Sequence, residues 1–76
     1  MSNNARDTPA ELTELVKKVE EAIRRRVPMG TKISHPKLHQ EMLMRFENSR
    51  AIDHAILAMI KRHEFQHQEA RKILYR

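Results

Sequence analysis

The hydrophobic period of the sequence changes once, at His63, and this change constrains the fold more than any other feature. Before His63, apolar residues recur every three or four positions in three separate stretches, which is typical of amphipathic helices. After it, residues 64–68 and part of residues 71–76 alternate, and the Phe, Ile and Tyr among them favour a half-buried pleated surface. The sequence therefore predicts three helices followed by two short strands.

Helix 1 has clear start and stop signals. Thr8 and Glu11 form a capping box around Pro9, and proline is favoured at the first position of a helix. Pro28 disfavours helical backbone at the residue before it, so helix 1 is expected to stop shortly before that proline. The predicted helix covers residues 9–26.

Similar local signals place the elements that follow. Either Ser34 or His35 caps helix 2, and Asn48 with Ser49 supplies the N-cap of helix 3. The predicted elements are a short strand at residues 31–33, helix 2 at residues 36–45 and helix 3 at residues 50–62.

The segment after helix 3 leaves two structures open. In the first, residues 64–68 and 71–76 pair as a hairpin around Glu69 and Ala70, where no glycine or asparagine favours a particular turn type. In the second, helix 3 continues through residues 63–72, since Gln, Glu, Ala, Arg and Lys all tolerate helical structure. The alternating pattern favours the hairpin.

With the hairpin, the chain is predicted to be an α+β winged helix. Helices 2 and 3 form a helix-turn-helix, the hairpin is the wing, and the strand at residues 31–33 joins it in a two- to three-stranded sheet. This domain covers residues 8–76, after a disordered tail at residues 1–7. The predicted core residues are Leu12, Leu15, Val16, Val19, Ile23, Ile33, Leu38, Met42, Ile52, Ile56, Met59, Ile60, Phe65 and Ile73. Alternation cannot put both Leu74 and Tyr75 on the same face as Ile73, so these two stay unassigned.

Several kinds of function are excluded by composition. The single glycine, Gly30, rules out both of the glycine-rich loops that cradle phosphates. No nucleophile, base and orienting group can be assembled, so we expect this chain to have no enzymatic activity and no cofactor. His35 and His39 stand four apart, but two ligands without a cysteine do not make a zinc site, and we expect no metal.

The charge distribution suggests a polyanionic partner. The net charge is +5, and most of it comes from residues 31–76, which contain nine basic and five acidic residues. An excess of basic residues in one half of a chain suggests a polyanionic partner. In a winged helix bound to DNA, helix 3 lies in the major groove and the wing contacts the backbone. The candidate DNA-binding residues are Arg50, His54, Lys61, Arg62, Arg71, Lys72 and Arg76. Asp53 and Leu57 share the exposed face of helix 3, and neither belongs against a phosphate.

An exposed leucine among polar residues suggests a second kind of surface. Leu57 and its neighbour Ala58 lie on the outer side of helix 3, where a leucine can anchor a protein partner. These two residues are the candidate protein-docking site.

The second half of the chain resembles a known family. The matching residues are Ala51-Ile52-Asp53-His54 through Met59, then Arg62, Glu64, Gln66-His67 and Arg71-Lys72-Ile73-Leu74-Tyr75-Arg76. From Arg25 onward the chain is similar, without gaps, to the C-terminal winged-helix domain of subunit five of the eukaryotic MCM replicative DNA helicase. Two positions depart from the family pattern: His63 stands where a glycine is usual, and Glu69 occupies a wing tip that tends to carry an extra basic residue.

The resemblance implies a function that spacing alone does not. The parent would be a nuclear, ring-shaped, ATP-driven DNA helicase acting in replication initiation, with its ATPase upstream of this chain. The partners implied are other replication proteins, namely the origin-loading machinery and other helicase subunits, with weak DNA contact and no membrane. The isolated domain is expected to be monomeric.

Three hypotheses compete at this point. A protein-docking domain of the helicase predicts an apolar patch around Leu57 with few neighbouring charges. An autonomous double-stranded DNA-binding regulator predicts a continuous basic stripe across helix 3 and the wing. A structural domain that only regulates the motor of its parent predicts neither surface.

Overall fold

A computed structural model describes residues 9–76, which form a winged helix. The elements are α1 (Pro9–Arg26), β1 (Lys32–Ser34), α2 (His35–Phe46), α3 (Ser49–Lys61), β2 (Gln66–Gln68) and β3 (Ile73–Tyr75). The predicted α+β fold is confirmed. The continuation of helix 3 through residues 63–72 is wrong, because α3 ends at Lys61. The predicted tail at residues 1–7 and the capping residue Thr8 lie outside the described residues.

Local caps explain where α2 and α3 begin. The Ser34 hydroxyl accepts a hydrogen bond from the backbone N–H of Lys37 at 3.4 Å, so Ser34 rather than His35 caps α2. The Asn48 side-chain oxygen accepts from the backbone N–H of Ala51 at 3.0 Å and caps α3. Each cap satisfies one of the backbone donors that the first turn of a helix leaves unpaired.

The sheet has the strand order β1-β3-β2, with both pairs antiparallel. Ile33 and His67 lie on either side of Leu74 in the register. Leu74 is fully buried whereas Ile73 is half-buried, so the assignment of Ile73 to the core is wrong and Leu74 takes that place. Alternation shows that one strand face is buried but does not show which.

The core lies between α1 and α3 and is closed by α2 and the sheet. Its buried residues are Val19, Ala22, Ile23, Val27, Ile33, Leu38, Met42, Ala51, Ile52, Ala55, Ile56, Met59, Phe65 and Leu74. Four predicted core residues, Leu12, Leu15, Val16 and Ile60, are only partly buried and pack against this cluster at its margin. Leu12, Leu15 and Val16 lie in the first half of α1, and Ile60 is the penultimate residue of α3.

Left-handed backbone at His63 turns the chain from α3 into the wing. His63 has a φ of 65°, a conformation that glycine adopts more readily than histidine. The backbone N–H groups of Glu64 and Phe65 then donate to the Met59 carbonyl oxygen at 2.8 and 3.2 Å. This turn delivers Phe65 to the core, where its side chain is fully buried.

The tip of the wing is a turn over residues 69–72. Lys72 also has left-handed backbone, with a φ of 56°, and its N–H donates to the Glu69 carbonyl oxygen at 3.2 Å. The Lys72 carbonyl in turn accepts from the His35 N–H at 2.7 Å, which fixes the wing to the start of α2. Within residues 9–76, no helix combines the length and apolar character that crossing a membrane requires.

Candidate docking and DNA-contact surfaces

Four charged side chains form a network that joins α1, the end of α3 and the start of the wing. Glu20 of α1 is only 7% exposed and accepts hydrogen bonds from Arg24 Nη2 at 3.2 Å and from Arg62 Nη2. Glu64 accepts from Arg24 Nε at 2.9 Å and from Arg62 Nε at 3.1 Å. The Arg24 hydrogen bond is the main cause of the lowered pKa of the Glu64 carboxyl, which burial partly opposes. Opposite charges therefore alternate around the network.

Two predicted DNA-binding residues are used inside the domain. The positive charge of Arg62 is balanced by Glu20 and Glu64 in the network. The Arg76 guanidinium donates from Nη1 to the carbonyl oxygens of Arg24 at 3.1 Å and Val27 at 3.0 Å. Arg76 thus satisfies carbonyls at the end of α1 that the helix itself leaves unpaired. Both guanidinium groups therefore have acceptors within the domain.

The other predicted DNA-binding residues are exposed but do not form one stripe. Arg50, His54 and Lys61 lie on the surface of α3, and Arg71 and Lys72 lie on the wing. Carboxylates share these elements: Asp53 lies on α3, Glu64 of the network lies at the start of the wing, and the exposed Glu69 lies at the wing tip. The continuous basic stripe expected of an autonomous DNA binder is therefore interrupted.

Two rows of residues follow the exposed side of α3. One row consists of residues spaced four apart and lines a groove with Leu12 and Val16 of α1. Its members are Arg50, His54, Ala58 and Arg62. Asp53, Leu57 and Lys61 form the neighbouring row. Leu57 is 51% exposed, and Ala58 is half-buried in the groove, so the two predicted docking residues lie on different rows. The Leu57 row also includes Asp53 and Lys61, so the apolar surface at Leu57 is one side chain wide.

The larger exposed apolar surface lies on α2 and was missed by sequence reasoning. Met44 is 77% exposed and Leu43 is 37% exposed. A signal was present: Met42, Leu43 and Met44 are consecutive, and successive helical residues differ by about 100° around the axis. Since Met42 points into the core, its two neighbours cannot both do so.

Leu43 and Met44 belong to a groove between α2 and the wing, here called the α2–wing groove. Its lining residues are His35, Pro36, His39, Gln40, Leu43, Met44 and Glu47 from α2 and the residue after it, and His67, Glu69 and Lys72 from the wing. The groove therefore combines an apolar centre with charged residues towards the end of α2 and the tip of the wing.

Three histidines line this groove, and two of them pack against each other while the third contacts other residues. The His35 and His67 rings meet edge to face with centroids 5.3 Å apart. His39 Nε2 lies 3.1 Å from Asp53 Oδ1 and 3.2 Å from Ser49 Oγ. The pKa of His35 is lowered by burial first and by His67 next. Across residues 9–76 no group of three or more metal-ligating side chains is assembled.

Comparison with known proteins identifies relatives of the chain. A family model described as "MCM5, C-terminal domain" matches residues 18–76. A protein of Drosophila melanogaster named "DNA replication licensing factor Mcm5" is 33% identical over 69 residues, which are 91% of this chain and 9% of that protein. A Xenopus tropicalis protein of the same kind is 32% identical with the same coverage. The chain thus spans about a tenth of the length of these curated relatives. No solved structure matches the chain significantly.

Proposed function

The chain belongs to the family of MCM5 C-terminal domains, and from this premise we propose that it is a non-catalytic docking domain of a replicative helicase subunit. In this function it binds other replication proteins in the nucleus during replication initiation. Its partners are the origin-loading machinery and the other helicase subunits, while its contact with DNA is weak and secondary. It needs no cofactor for this role.

One observation carries the preference for protein docking over DNA binding. Met44 and Leu43, which are 77% and 37% exposed, lie together in the α2–wing groove, whereas Leu57 is a single exposed leucine in a row with Asp53 and Lys61. By contrast, the guanidinium groups of Arg62 and Arg76 are already paired within the domain. Exposed apolar anchors are typical of protein interfaces, whereas DNA contact needs available positive charge.

The relatives support the cellular setting of the proposal. Both are named DNA replication licensing factors, and the chain corresponds to about a tenth of each. A domain this small within a much larger protein would add a binding surface to its parent without adding a catalytic site. Winged helices are used in this way by many proteins, which is an argument from the fold alone.

DNA contact is the second candidate function, and it rests on a smaller set of residues than the sequence predicted. Arg71 and Lys72 on the wing and Lys61 on α3 are exposed basic residues. They are the residues that we propose to contact phosphates. Because such contacts are electrostatic and independent of sequence, they would be weak and sensitive to salt.

The proposed function is tested by removing the domain from the full-length subunit. Purified helicase with and without residues corresponding to 9–76 is compared in a reconstituted origin-loading reaction. We expect ATP hydrolysis and assembly of the ring to persist, while binding to the origin-loading proteins falls by at least about tenfold.

Each alternative gives a different result in the same reaction. Unchanged loading would overturn the docking function. A change in ATP hydrolysis with unchanged binding to the loading proteins would instead support a domain that regulates the motor of its parent.

A further inference from the structure

The α2–wing groove combines exposed apolar side chains with two carboxylates. We infer that this groove binds a basic amphipathic helix of a protein partner. Leu43 and Met44 receive the apolar residues of that helix, and Glu47 and Glu69 pair with its lysines or arginines. The inference rests on the docking function proposed above and specifies the surface and the chemistry of the partner.

The apolar centre of the groove suits a helix that brings large aliphatic side chains. Met44 and Leu43 are 77% and 37% exposed, and Pro36 lies in the same groove one helical turn before Gln40. Methionine is unbranched and flexible, so it adapts to the shape of a partner side chain. Removing these side chains from water on binding would supply the main attractive free energy.

The charged residues that line the groove indicate which charge the partner should carry. Glu47 and Glu69 line the groove, and no ion pair involves either carboxylate anywhere in residues 9–76. Among the lining residues, the two carboxylates of Glu47 and Glu69 are accompanied by one lysine, Lys72, and by no arginine. The groove thus holds more carboxylates than lysines or arginines, although the whole chain carries +5. Two carboxylates beside one lysine favour a cationic segment in this groove over a phosphate.

The walls of the groove set the length and form of the partner segment. Four lining residues are spaced three or four apart and therefore lie along one side of α2. They are Pro36, Gln40, Leu43 and Glu47. At about 1.5 Å per residue this side extends for about 16 Å, the length of three helical turns. A helix laid in such a groove presents apolar anchors at spacings of three, four and seven residues.

Both walls are held in fixed positions, so the groove is formed before a partner binds. The His35 N–H donates to the Lys72 carbonyl oxygen at 2.7 Å and ties the start of α2 to the wing. The His35 and His67 rings pack against each other between the two walls. A preformed site loses less conformational entropy on binding than a mobile one.

The first experiment titrates the isotope-labelled 76-residue chain with a designed peptide and follows its backbone amides by NMR. The probe is a helical peptide of about 14 residues with leucines at spacings of three, four and seven and lysines on both flanks. A control peptide replaces each lysine by glutamate. We expect shifts confined to the second half of α2 and to the wing with the lysine peptide, and binding at least about tenfold weaker with the glutamate peptide.

Matched substitutions separate the apolar and the charged parts of the site. Met44→Ser is compared with Met29→Ser, because Met29 is 76% exposed in the turn after α1, outside the groove. The double variant Glu47→Lys/Glu69→Lys is compared with Glu14→Lys/Glu21→Lys, which changes the net charge equally on α1. We expect the groove variants to weaken binding of the lysine peptide at least about tenfold and the controls less than about twofold.

Several results would overturn the inference. These are equal binding of both peptides, absence of binding, shifts centred on α1 and α3, or equal loss of binding in the two double variants. Shifts of the groove amides that depend on protein concentration without any peptide would assign the groove to a second copy of the chain instead.

If the peptide fails to bind while removal of the domain still abolishes origin loading, the groove assignment fails and the docking function stands. If the peptide binds but removal of the domain changes nothing, the docking function fails.

Discussion

Within residues 9–76, three residues other than glycine adopt left-handed backbone, and each lies at a point where the chain changes direction. Glu47 ends α2 with a φ of 56°, His63 ends α3 with a φ of 65°, and Lys72 completes the wing turn with a φ of 56°. Side chains with a Cβ are strained in this conformation by about 1–2 kcal/mol per residue. The fold therefore tolerates strain at its turns in order to deliver Phe65 and Leu74 to the core.

Substitution of His63 by glycine is expected to stabilise the domain. Glycine removes the left-handed strain but loses more conformational freedom on folding, so the net gain is about 0.5–1 kcal/mol in the free energy of unfolding. Urea denaturation followed by circular dichroism measures the difference. His63→Ala is the control, since it removes the same imidazole and keeps the strain. Destabilisation by glycine beyond that of alanine would show that the turn is not strained.

The stability of the domain is expected to fall as the pH decreases from about 7 to about 5.5, through titration of His35. The pKa of His35 is lowered from 6.5 by burial and by His67 and His39, with Lys72 adding to the effect and Asp53 opposing it. A lowered histidine pKa means that the unfolded chain binds the proton more readily, so stability is complete above pH 6.5 and is lost below it. Thermal melts between pH 7.5 and 5.5 measure the slope.

The same pH series includes two variants that assign the effect. His35→Gln is expected to flatten the dependence of Tm on pH, and His54→Gln, an exposed position on α3, is expected to leave it unchanged. The carboxyl groups of Glu41 and Glu64 also have lowered pKa values, but from a starting value of 4.5, so they act below this range. Equal slopes in the wild type and His35→Gln would contradict the assignment.

At the scale of helices and strands, features that depend on nearby residues could be predicted from the sequence, whereas features that depend on long-range packing could not. The bounds of α2 and α3 could be predicted because Ser34 and Asn48 act on backbone groups three residues away. The exchange of Ile73 for Leu74 in the core depends on which face of β3 meets the core, and no neighbouring residue in the sequence indicates that face. The element types could thus be predicted, while the phase of a three-residue strand could not.

The candidate site shows the same limit. Arg62 and Arg76 have the charge expected of DNA contacts, yet their partners Glu20 and Val27 lie 42 and 49 residues away in the sequence. Only the packing of α1 beside α3 and β3 brings these groups together. The exposed Met44 was detectable from three consecutive apolar residues on one helix, but its position beside the wing was not.

The charge network between α1 and α3 is expected to show energetic coupling. Glu20→Gln removes the most buried member, and we expect a loss of about 1–2 kcal/mol in the free energy of unfolding. This range lies between exposed and buried ion pairs because the side chains of Glu20 and Arg62 are 9% and 48% exposed. A double-mutant cycle of Glu20→Gln with Arg62→Gln measures the coupling. Additive losses in the cycle would show that the two groups stabilise the fold independently.

At the scale of the whole molecule, a net charge of +5 coexists with carboxylates on every candidate surface. Asp53 lies beside Leu57 on α3, Glu64 lies in the network at the start of the wing, and Glu69 lies at the wing tip. The positive charge is therefore spread over the domain instead of being focused on one groove. Spread charge keeps a protein soluble but gives little free energy to any one contact with DNA.

Binding to duplex DNA is expected to be weak and to collapse with salt. Fluorescence anisotropy of a labelled duplex of about 20 base pairs should show binding at low salt and a loss of at least about tenfold at moderate salt. Arg71→Gln with Lys72→Gln should weaken the low-salt binding, whereas Lys18→Gln on α1 should not. Tight binding that persists at moderate salt, or that selects one sequence, would favour the autonomous DNA-binding regulator over the docking domain.

The strand order β1-β3-β2 also has a consequence for how the protein is made. The central strand β3 is the last of the three in the sequence. Ile33 of β1 therefore has no strand partner until Leu74 of β3 is present. As the ribosome releases the chain from its N-terminal end, the helices are available to pack first, and β1 and β2 remain as two unjoined edges. Both strand pairings include β3, so the sheet can be completed only when this last strand is available, whereas the three helices precede it in the chain.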